Sequence, residues 1–239
     1  MTYIDSPLQM SLGVSLKDDA TFDNFYVVEA NAMPLDVLGR LGEDSFDSMN
    51  MPYLVWGSHG SGLTHLLQAI CHGAHGNKSV QYLPLIDMLG FSPADICEGL
   101  ESTELVCLDG IDVICGHREW ERAIFHLYNN LRDAGHMLVM SSHLAPQSLP
   151  VALNDLKSRV LASMFLRIES LSDDSKQEAL IMRAKARGMD MPQEVARYIL
   201  SRAPRDTNIL FNILDRLDDA SLQQQRKLTI PFVKTLISV

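Results

Sequence analysis

Residues 52–64 read Pro-Tyr-Leu-Val-Trp-Gly-Ser-His-Gly-Ser-Gly-Leu-Thr, and this stretch decides the fold. The apolar run at 52–56 is typical of a short buried strand. A glycine-rich turn at 57–62 follows directly, and apolar residues at helical spacing continue over 64–75. Because the first amides of a helix favour anions, this succession of strand, glycine turn and helix predicts a phosphate-binding loop.

The glycine turn matches the P-loop pattern at every position but one. Gly57, Gly60 and Gly62 would let the backbone wrap phosphates, and Thr64 places a hydroxyl where Mg²⁺ would bind. Leu63 occupies the lysine position, and an apolar side chain cannot neutralise phosphate charge. Two interpretations stay open: a weakened pocket that holds a diphosphate through backbone amides, or a turn kept only for the fold.

A second apolar run, Leu105-Val106-Cys107-Leu108, is a predicted buried strand that ends at Asp109. A carboxylate there suits coordination of Mg²⁺ through water, although it equally suits a loop-capping role. ATP-hydrolysing motors with a P-loop usually have a second acidic residue directly after this aspartate. This chain has Gly110 at that position, and Asp112 lies two residues further along. We therefore expect no self-sufficient ATP hydrolysis.

Strands and helices alternate through the first two thirds of the chain. Further strands are predicted at 80–85 and 137–140, and helices at 32–41 and along the apolar face from Trp120 to Leu131. This alternation predicts an α/β fold, a parallel sheet with helices on both faces.

The pattern changes to helices alone after residue 171. Helices are predicted at 172–188, from Pro192 onward, at 206–218 and at 230–238. Three parts are therefore expected, which are a flexible tail at 1–20, an α/β core at 21–171 and a small all-α lid at 172–239.

Composition excludes several classes of function. The net charge of −10 and pI near 5.2 argue against a broad nucleic-acid surface. The four cysteines form no CxxC pair, which argues against structural zinc and fits a reducing cytosol. Neither a signal peptide nor a membrane-spanning apolar run is apparent, so we expect a cytoplasmic protein.

These motifs, taken in order, resemble DnaA and more closely the Hda family, the AAA+ homologues of DnaA that inactivate it. The match extends over nearly the whole chain. It is carried by the altered P-loop and by the stretches at 21–25, 120–129, 156–159 and 225–234, of which the last is the most specific. The resemblance implies an AAA+ fold, with ADP as the nucleotide and Mg²⁺ present only with nucleotide.

The resemblance also implies a function, negative regulation of replication initiation. The protein would dock on the DNA-loaded sliding clamp, the β subunit of DNA polymerase III, and stimulate hydrolysis of the ATP bound to DnaA. Contact with DNA would come mainly through the clamp, and self-association is left open. DnaA continues into a DNA-binding domain, whereas this sequence stops at Val239, so we expect no origin recognition.

In the Hda family an N-terminal peptide binds the clamp, and residues 9–14 match its pattern. The matching residues are Gln9, Met10, Ser11, Leu12 and Val14. An extended strip of this kind presents amide hydrogen bonds and apolar side chains to a pocket. A tail with chance alternation is the alternative.

Arg159, in the stretch Leu156-Lys157-Ser158-Arg159, matches the arginine finger of the family. Such a finger stabilises charge on the γ-phosphate of a neighbouring subunit, whereas an ordinary surface ion pair is the alternative. The lid arginine that senses nucleotide in DnaA falls on Asn208, and Arg205 is a candidate substitute. His59 is expected to be a solvated loop residue.

Three rival functions remain. An autonomous ATPase, such as a helicase loader, would turn over ATP alone. A non-catalytic adaptor would bind the clamp and DnaA without changing hydrolysis. A DNA-binding regulator agrees least with the charge.

Overall fold

The computed structural model describes residues 16, 20–41, 51–204, 206–224 and 227–237. Within these residues, five short parallel strands form one sheet. In chain order they are β1 (Tyr53–Trp56), β2 (Val80–Pro84), β3 (Leu105–Asp109), β4 (Met137–Ser142) and β5 (Met164–Arg167). Their order across the sheet is β2-β3-β4-β1-β5, so the chain leaves the interior strand β1 and returns at the far edge in β2.

Helices cover both faces of the sheet. In chain order they are α1 (Ala32–Arg40), α2 (Leu63–Ala74), α3 (Leu85–Met88), α4 (Pro93–Cys97), α5 (Arg118–Ala134) and α6 (Asn154–Leu161). Short 3₁₀ turns at 22–24, 29–31, 100–102, 111–114 and 146–148 complete the connections.

Successive side chains of β1 point to opposite faces and enter two different apolar clusters. Leu54 packs with the apolar face of α5, including Trp120 and Leu127. Val55 packs on the other face against α2, including Leu66. The interior strands are buried on both faces, as the continuous apolar runs predict.

The chain beyond residue 172 is helical throughout most of its described part. It contains α7 (Asp173–Ala186), α8 (Gln193–Arg202), α9 (Thr207–Gln224) and α10 (Ile230–Ile237). These helices share a third apolar cluster of their own, which includes Leu180, Ile199 and Leu214. The predicted α/β class followed by an all-α lid is confirmed.

One strand, β5, was not predicted from the sequence. β5 lies at the edge of the sheet, and of its four residues only Leu166 is buried. Such a short, half-exposed segment has no continuous apolar run to reveal it. None of the helices that the structure describes is long and apolar enough to cross a membrane.

Candidate functional site

The glycine loop follows the carboxyl end of β1 and is folded tightly against its neighbours. A Cβ on Gly57 would lie 2.5 Å from the Ile168 carbonyl oxygen. Gly62 has φ +95°, and a Cβ there would lie 2.6 Å from Cε2 of Phe25. Both positions therefore require glycine, one for close backbone approach and the other for close approach and a left-handed conformation as well.

A cavity of about 490 Å³ lies between this loop and the lid. Its core side is formed by the glycine loop, the start of α2 and residues 24–26, and its lid side by α7 and the first part of α9. Cavities of this size hold small-molecule ligands and cofactors. Ligand binding is therefore expected where the core and the lid meet.

Four of the predicted nucleotide-site residues line this cavity, namely Gly60, Gly62, Leu63 and Thr64. Thr64 is exposed, so its hydroxyl is accessible to a ligand. Leu63 is only 2% exposed and belongs to the apolar cluster between α2 and the sheet. The residue at the lysine position therefore contributes to the core rather than to phosphate binding.

One buried hydroxyl in the loop lacks a hydrogen-bond partner. Ser61 is 5% exposed, and within the described residues its Oγ is one of two buried side-chain polar atoms without a partner. A buried unpaired hydroxyl costs about 1–3 kcal/mol, which a ligand oxygen would recover. Together with the loop's glycines, this hydroxyl fits a bound phosphate group, and the cavity volume accommodates a nucleotide.

The lid supplies positive charge that no motif indicated. Arg183 on α7 lines the cavity, and its Nε donates to the Asn24 carbonyl at 3.2 Å. Its Nη2 lies 2.8 Å from Nδ1 of His65, and its guanidinium stacks 3.9 Å from the Phe211 ring centroid. Since arginine can only donate, Nδ1 of His65 accepts and Nε2 donates to the Thr21 carbonyl at 2.7 Å.

Arg187, one helical turn later, also lines the cavity. Its Nη1 lies 2.5 Å from Oδ1 of Asp215 on α9, so much of its charge is neutralised within the lid. The spacing of Arg183 and Arg187 on one helix face was visible in the sequence. Only the folding of the lid over the loop shows that this face borders the cavity.

The start of α9 lies against the glycine loop. A Cβ on Gly60 would lie 3.4 Å from the Thr207 backbone nitrogen, and Asp206 accepts a hydrogen bond from the Asn208 amide at 2.8 Å. Asn208, at the position of the sensing arginine, lines the cavity. Arg205 lies outside the described residues, and so do all five residues of the predicted clamp-binding peptide.

Asp109 is held by two hydroxyl groups rather than directed into the cavity. It accepts hydrogen bonds from Tyr82 at 2.7 Å and from Ser141 at 2.5 Å, and it does not belong to the cavity lining. Burial and the nearby carboxylate raise the pKa of Tyr82 well above its ordinary value, so its hydroxyl stays a donor. Gly110, with φ +84°, donates its amide to Ser141 at 2.8 Å.

Asp112 is directed at the loop that follows β4. Its Oδ1 accepts a hydrogen bond from the His143 backbone amide at 3.2 Å. His143 in turn stacks on His59, with ring centroids 3.9 Å apart, and both rings line the cavity. His59 is exposed, as expected, and its ring contacts His143, a neighbour that the sequence did not indicate.

Arg159 lies on α6, away from this cavity. Its side chain is partly exposed, and among the described residues it forms no ion pair or side-chain hydrogen bond. An arginine without an internal partner is available to another molecule. The surface ion pair considered from the sequence is not formed within the described part of the chain.

The start of α6 is anchored by a buried carboxylate from α5. Glu121 is fully buried and accepts hydrogen bonds from the amides of Gly116, Ala152 and Leu153 at 2.7–2.9 Å. Leu153 is the N-cap of α6, and its apolar side chain cannot cap the helix. Glu121 therefore fixes the segment that leads into the helix carrying Arg159.

Comparison with known protein families divides the chain into the same two parts, an ATPase domain and a lid. Residues 16–167 match the model of the bacterial DnaA ATPase domain, and residues 173–237 match that of the Hda lid domain. The two matches meet close to the end of β5, where the sheet gives way to helices.

Solved structures of similar fold are DnaA proteins and a branch-migration motor. Domain III of Thermotoga maritima DnaA has a TM-score of 0.77 at 19% identity, covering 94% of this chain and 98% of that one. AMPPCP-bound Aquifex aeolicus DnaA has a TM-score of 0.70 at 24% identity, covering 84% and 66%.

A variant of Thermotoga maritima RuvB has a TM-score of 0.66 at 15% identity, covering 92% and 71%. At these identities the structural likeness establishes the AAA+ fold alone, whereas the match over 16–167 exceeds half of the chain. The chain therefore belongs to the bacterial DnaA ATPase family, and the lid that completes it gives it the domain architecture of Hda.

Proposed function

We propose that this DnaA-related replication regulator inactivates DnaA by promoting hydrolysis of DnaA-bound ATP. In this function the chain is an activator rather than an enzyme, because the reacting triphosphate is held by its partner. The observation that carries the proposal is Arg159, which forms no ion pair within the described part of the chain and lies on α6, outside the chain's own cavity.

The chemistry of a finger suits arginine. The guanidinium is permanently charged, and its donors form a fixed fork that matches phosphate oxygens. Fingers supplied to a neighbouring site raise hydrolysis by about 10³–10⁵-fold. Because Glu121 fixes the start of α6, Arg159 is presented from a supported helix rather than a loose loop.

The chain's own cavity supports a regulatory rather than a motor role. Leu63 replaces the lysine and is buried, and Gly110 replaces the second acid in a left-handed conformation. A glutamate at that position would be strained by about 1–2 kcal/mol. The residues that would hold ADP are the glycine loop, Ser61, Thr64 and Arg183, with Mg²⁺ only alongside the nucleotide.

Clamp docking completes the proposal. The peptide Gln9-Met10-Ser11-Leu12-Gly13-Val14 would tether the chain to the DNA-loaded clamp in the cytoplasm. Tethering raises the effective concentration of a weak contact to the millimolar range for short flexible linkers. A modest-affinity contact between this chain and DnaA would then suffice.

The test is a reconstituted reaction of DnaA, DNA-loaded clamp and this protein, read as loss of DnaA-bound ATP. We expect Arg159→Ala to reduce the stimulation to background. Lys157→Ala is the matched control, because Lys157 is an exposed cation on the same helix. Normal stimulation by Arg159→Ala would refute the finger.

Two other outcomes would favour the rivals. If the wild-type chain binds the clamp and DnaA but leaves hydrolysis unchanged, it is an adaptor. If the purified chain alone turns over ATP briskly, it is an autonomous ATPase.

A further inference from the structure

The stacked histidine pair unites two separate segments at the cavity. His59 belongs to the glycine loop and His143 to the turn after β4, and their ring planes are inclined by 31°. The cavity lining also includes Ser61, whose buried Oγ has no hydrogen-bond partner within the described residues and could bond to a ligand oxygen. The pair thus lies in the loop region where a P-loop normally gathers positive charge.

The hydrogen bonds of His143 define which ring nitrogen is available. Its Nδ1 lies 3.4 Å from the Gly57 carbonyl oxygen, which can only accept. Nδ1 therefore carries the proton, and Nε2 is the atom whose protonation would convert the ring to a cation. The Asp112 carboxylate accepts a hydrogen bond from the His143 backbone amide and so helps to fix the position of this residue after β4.

The other charged groups that line the cavity, two arginines and two aspartates, lie on its lid side, and each has partners of its own. Arg187 is paired with Asp215, and Asp206 caps the start of α9. Arg183 contacts His65, the Asn24 carbonyl and the Phe211 ring, and it supplies positive charge from the lid side of the cavity rather than from the loop. With Leu63 buried in the core, a terminal phosphate has no lysine in the loop to neutralise it.

Two imidazolium rings in such close contact repel one another. At this separation the cost is roughly 1 kcal/mol in water and about 4 kcal/mol near a protein surface. A phosphate beside the pair would offset this repulsion with two attractions. Proton uptake and phosphate binding should therefore be coupled.

We propose that His59 and His143, when protonated, supply the phosphate-binding charge that the Leu63 position lacks, so that this cavity holds the terminal phosphate of a nucleotide more tightly as pH falls. The inference rests on the nucleotide site of the proposed function and does not depend on the role of Arg159. It makes nucleotide affinity sensitive to pH through two residues that are absent from the P-loop pattern.

The experiment is calorimetric titration of the full chain with ADP and Mg²⁺ at pH 6.0 and pH 8.0. Imidazole gains its charge between about pH 8 and pH 5, so a preference of the phosphate for one charged ring of about tenfold strengthens affinity by about sixfold over this range. We expect that pH dependence in the wild type and its loss in the double variant His59→Gln/His143→Gln. Titration of ADP itself cancels in the comparison.

A second measurement distinguishes an effect of the histidine charge on ADP binding from an effect of the histidine side-chain shape. Titrations at pH 7.0 in two buffers of different ionisation enthalpy measure the protons taken up on binding. We expect the wild type to take up more protons than the double variant. The control, His126→Gln, removes an exposed histidine on α5 outside the cavity and should match the wild type.

The outcomes distinguish the two proposals. Equal pH dependence and equal proton uptake in the wild type and the double variant would overturn the role of the histidine pair and leave the nucleotide site intact. An absence of ADP binding at millimolar concentration and either pH would overturn both the nucleotide site and this inference, while clamp docking and the finger would stand.

Discussion

Replacement of Glu121 by glutamine tests whether one buried carboxylate holds the helix that carries Arg159. Oε1 of Glu121 accepts from Gly116 and Ala152, and Oε2 accepts from Leu153. A glutamine retains one accepting oxygen, so its amide group must face at least one backbone N–H. The change therefore replaces a hydrogen bond by a contact between two donors.

The size of the effect follows from the burial. A hydrogen bond to a charged group contributes about 1.5–3 kcal/mol, and a buried N–H left unpaired costs about 1–3 kcal/mol. Relief from burying the carboxylate offsets part of this loss. We expect Glu121→Gln to lower the free energy of unfolding by about 2–4 kcal/mol, which for a chain of this length lowers Tm by roughly 4–16 °C.

Two assays read the consequence. Thermal unfolding measures the stability, and the reconstituted reaction with DnaA and loaded clamp, run well below the variant's Tm, measures stimulation of ATP loss. We expect weaker stimulation with unchanged capture by the clamp, because the proposed clamp-binding peptide is far from Glu121 in sequence. Glu119→Gln, an exposed neighbour on α5, is the control. Equal stability of the two variants would refute the reasoning about the buried carboxylate.

Two further predictions concern stability and thiol chemistry. Gly62→Ala should destabilise the chain by about 2 kcal/mol, because φ is +95° and the new Cβ meets Phe25, whereas Gly73→Ala, with open space around it, should cause no loss in the same urea titration. Burial raises the pKa of Cys97 to about 11 and of Cys115 to about 12. Stability from these neutral thiols is therefore complete below pH 9 and declines as pH rises through those values. Both should react slowly with a thiol reagent at pH 8 in the native state and rapidly in urea; fast native reaction would contradict the burial argument.

The order of elements was largely predictable because strong local signals mark it. The apolar runs at 52–56 and 105–108 lie in interior strands that are buried on both faces, so burial imposes a continuous apolar pattern. The edge strand β5 was not predicted from the sequence, because it is half-exposed and follows α6 after only two residues. Its exposure leaves too few buried side chains to create a pattern.

The candidate site was predictable only where a motif prescribes backbone geometry. Gly60, Gly62 and Thr64 line the cavity as the glycine pattern indicated. Arg183 and His143 were not identified, because each reaches the cavity through an element distant in sequence.

The sequence by itself determined the α/β class, the helical lid, the glycine loop and the absence of its lysine, since these depend on local periodicity and residue identity. Only the tertiary structure decided that Leu63 belongs to the core, that Asp109 is tied to Tyr82 and Ser141, and that His59 meets His143. Such pairings depend on which strands and loops lie side by side. That arrangement comes from burial of the whole apolar surface rather than from any single segment.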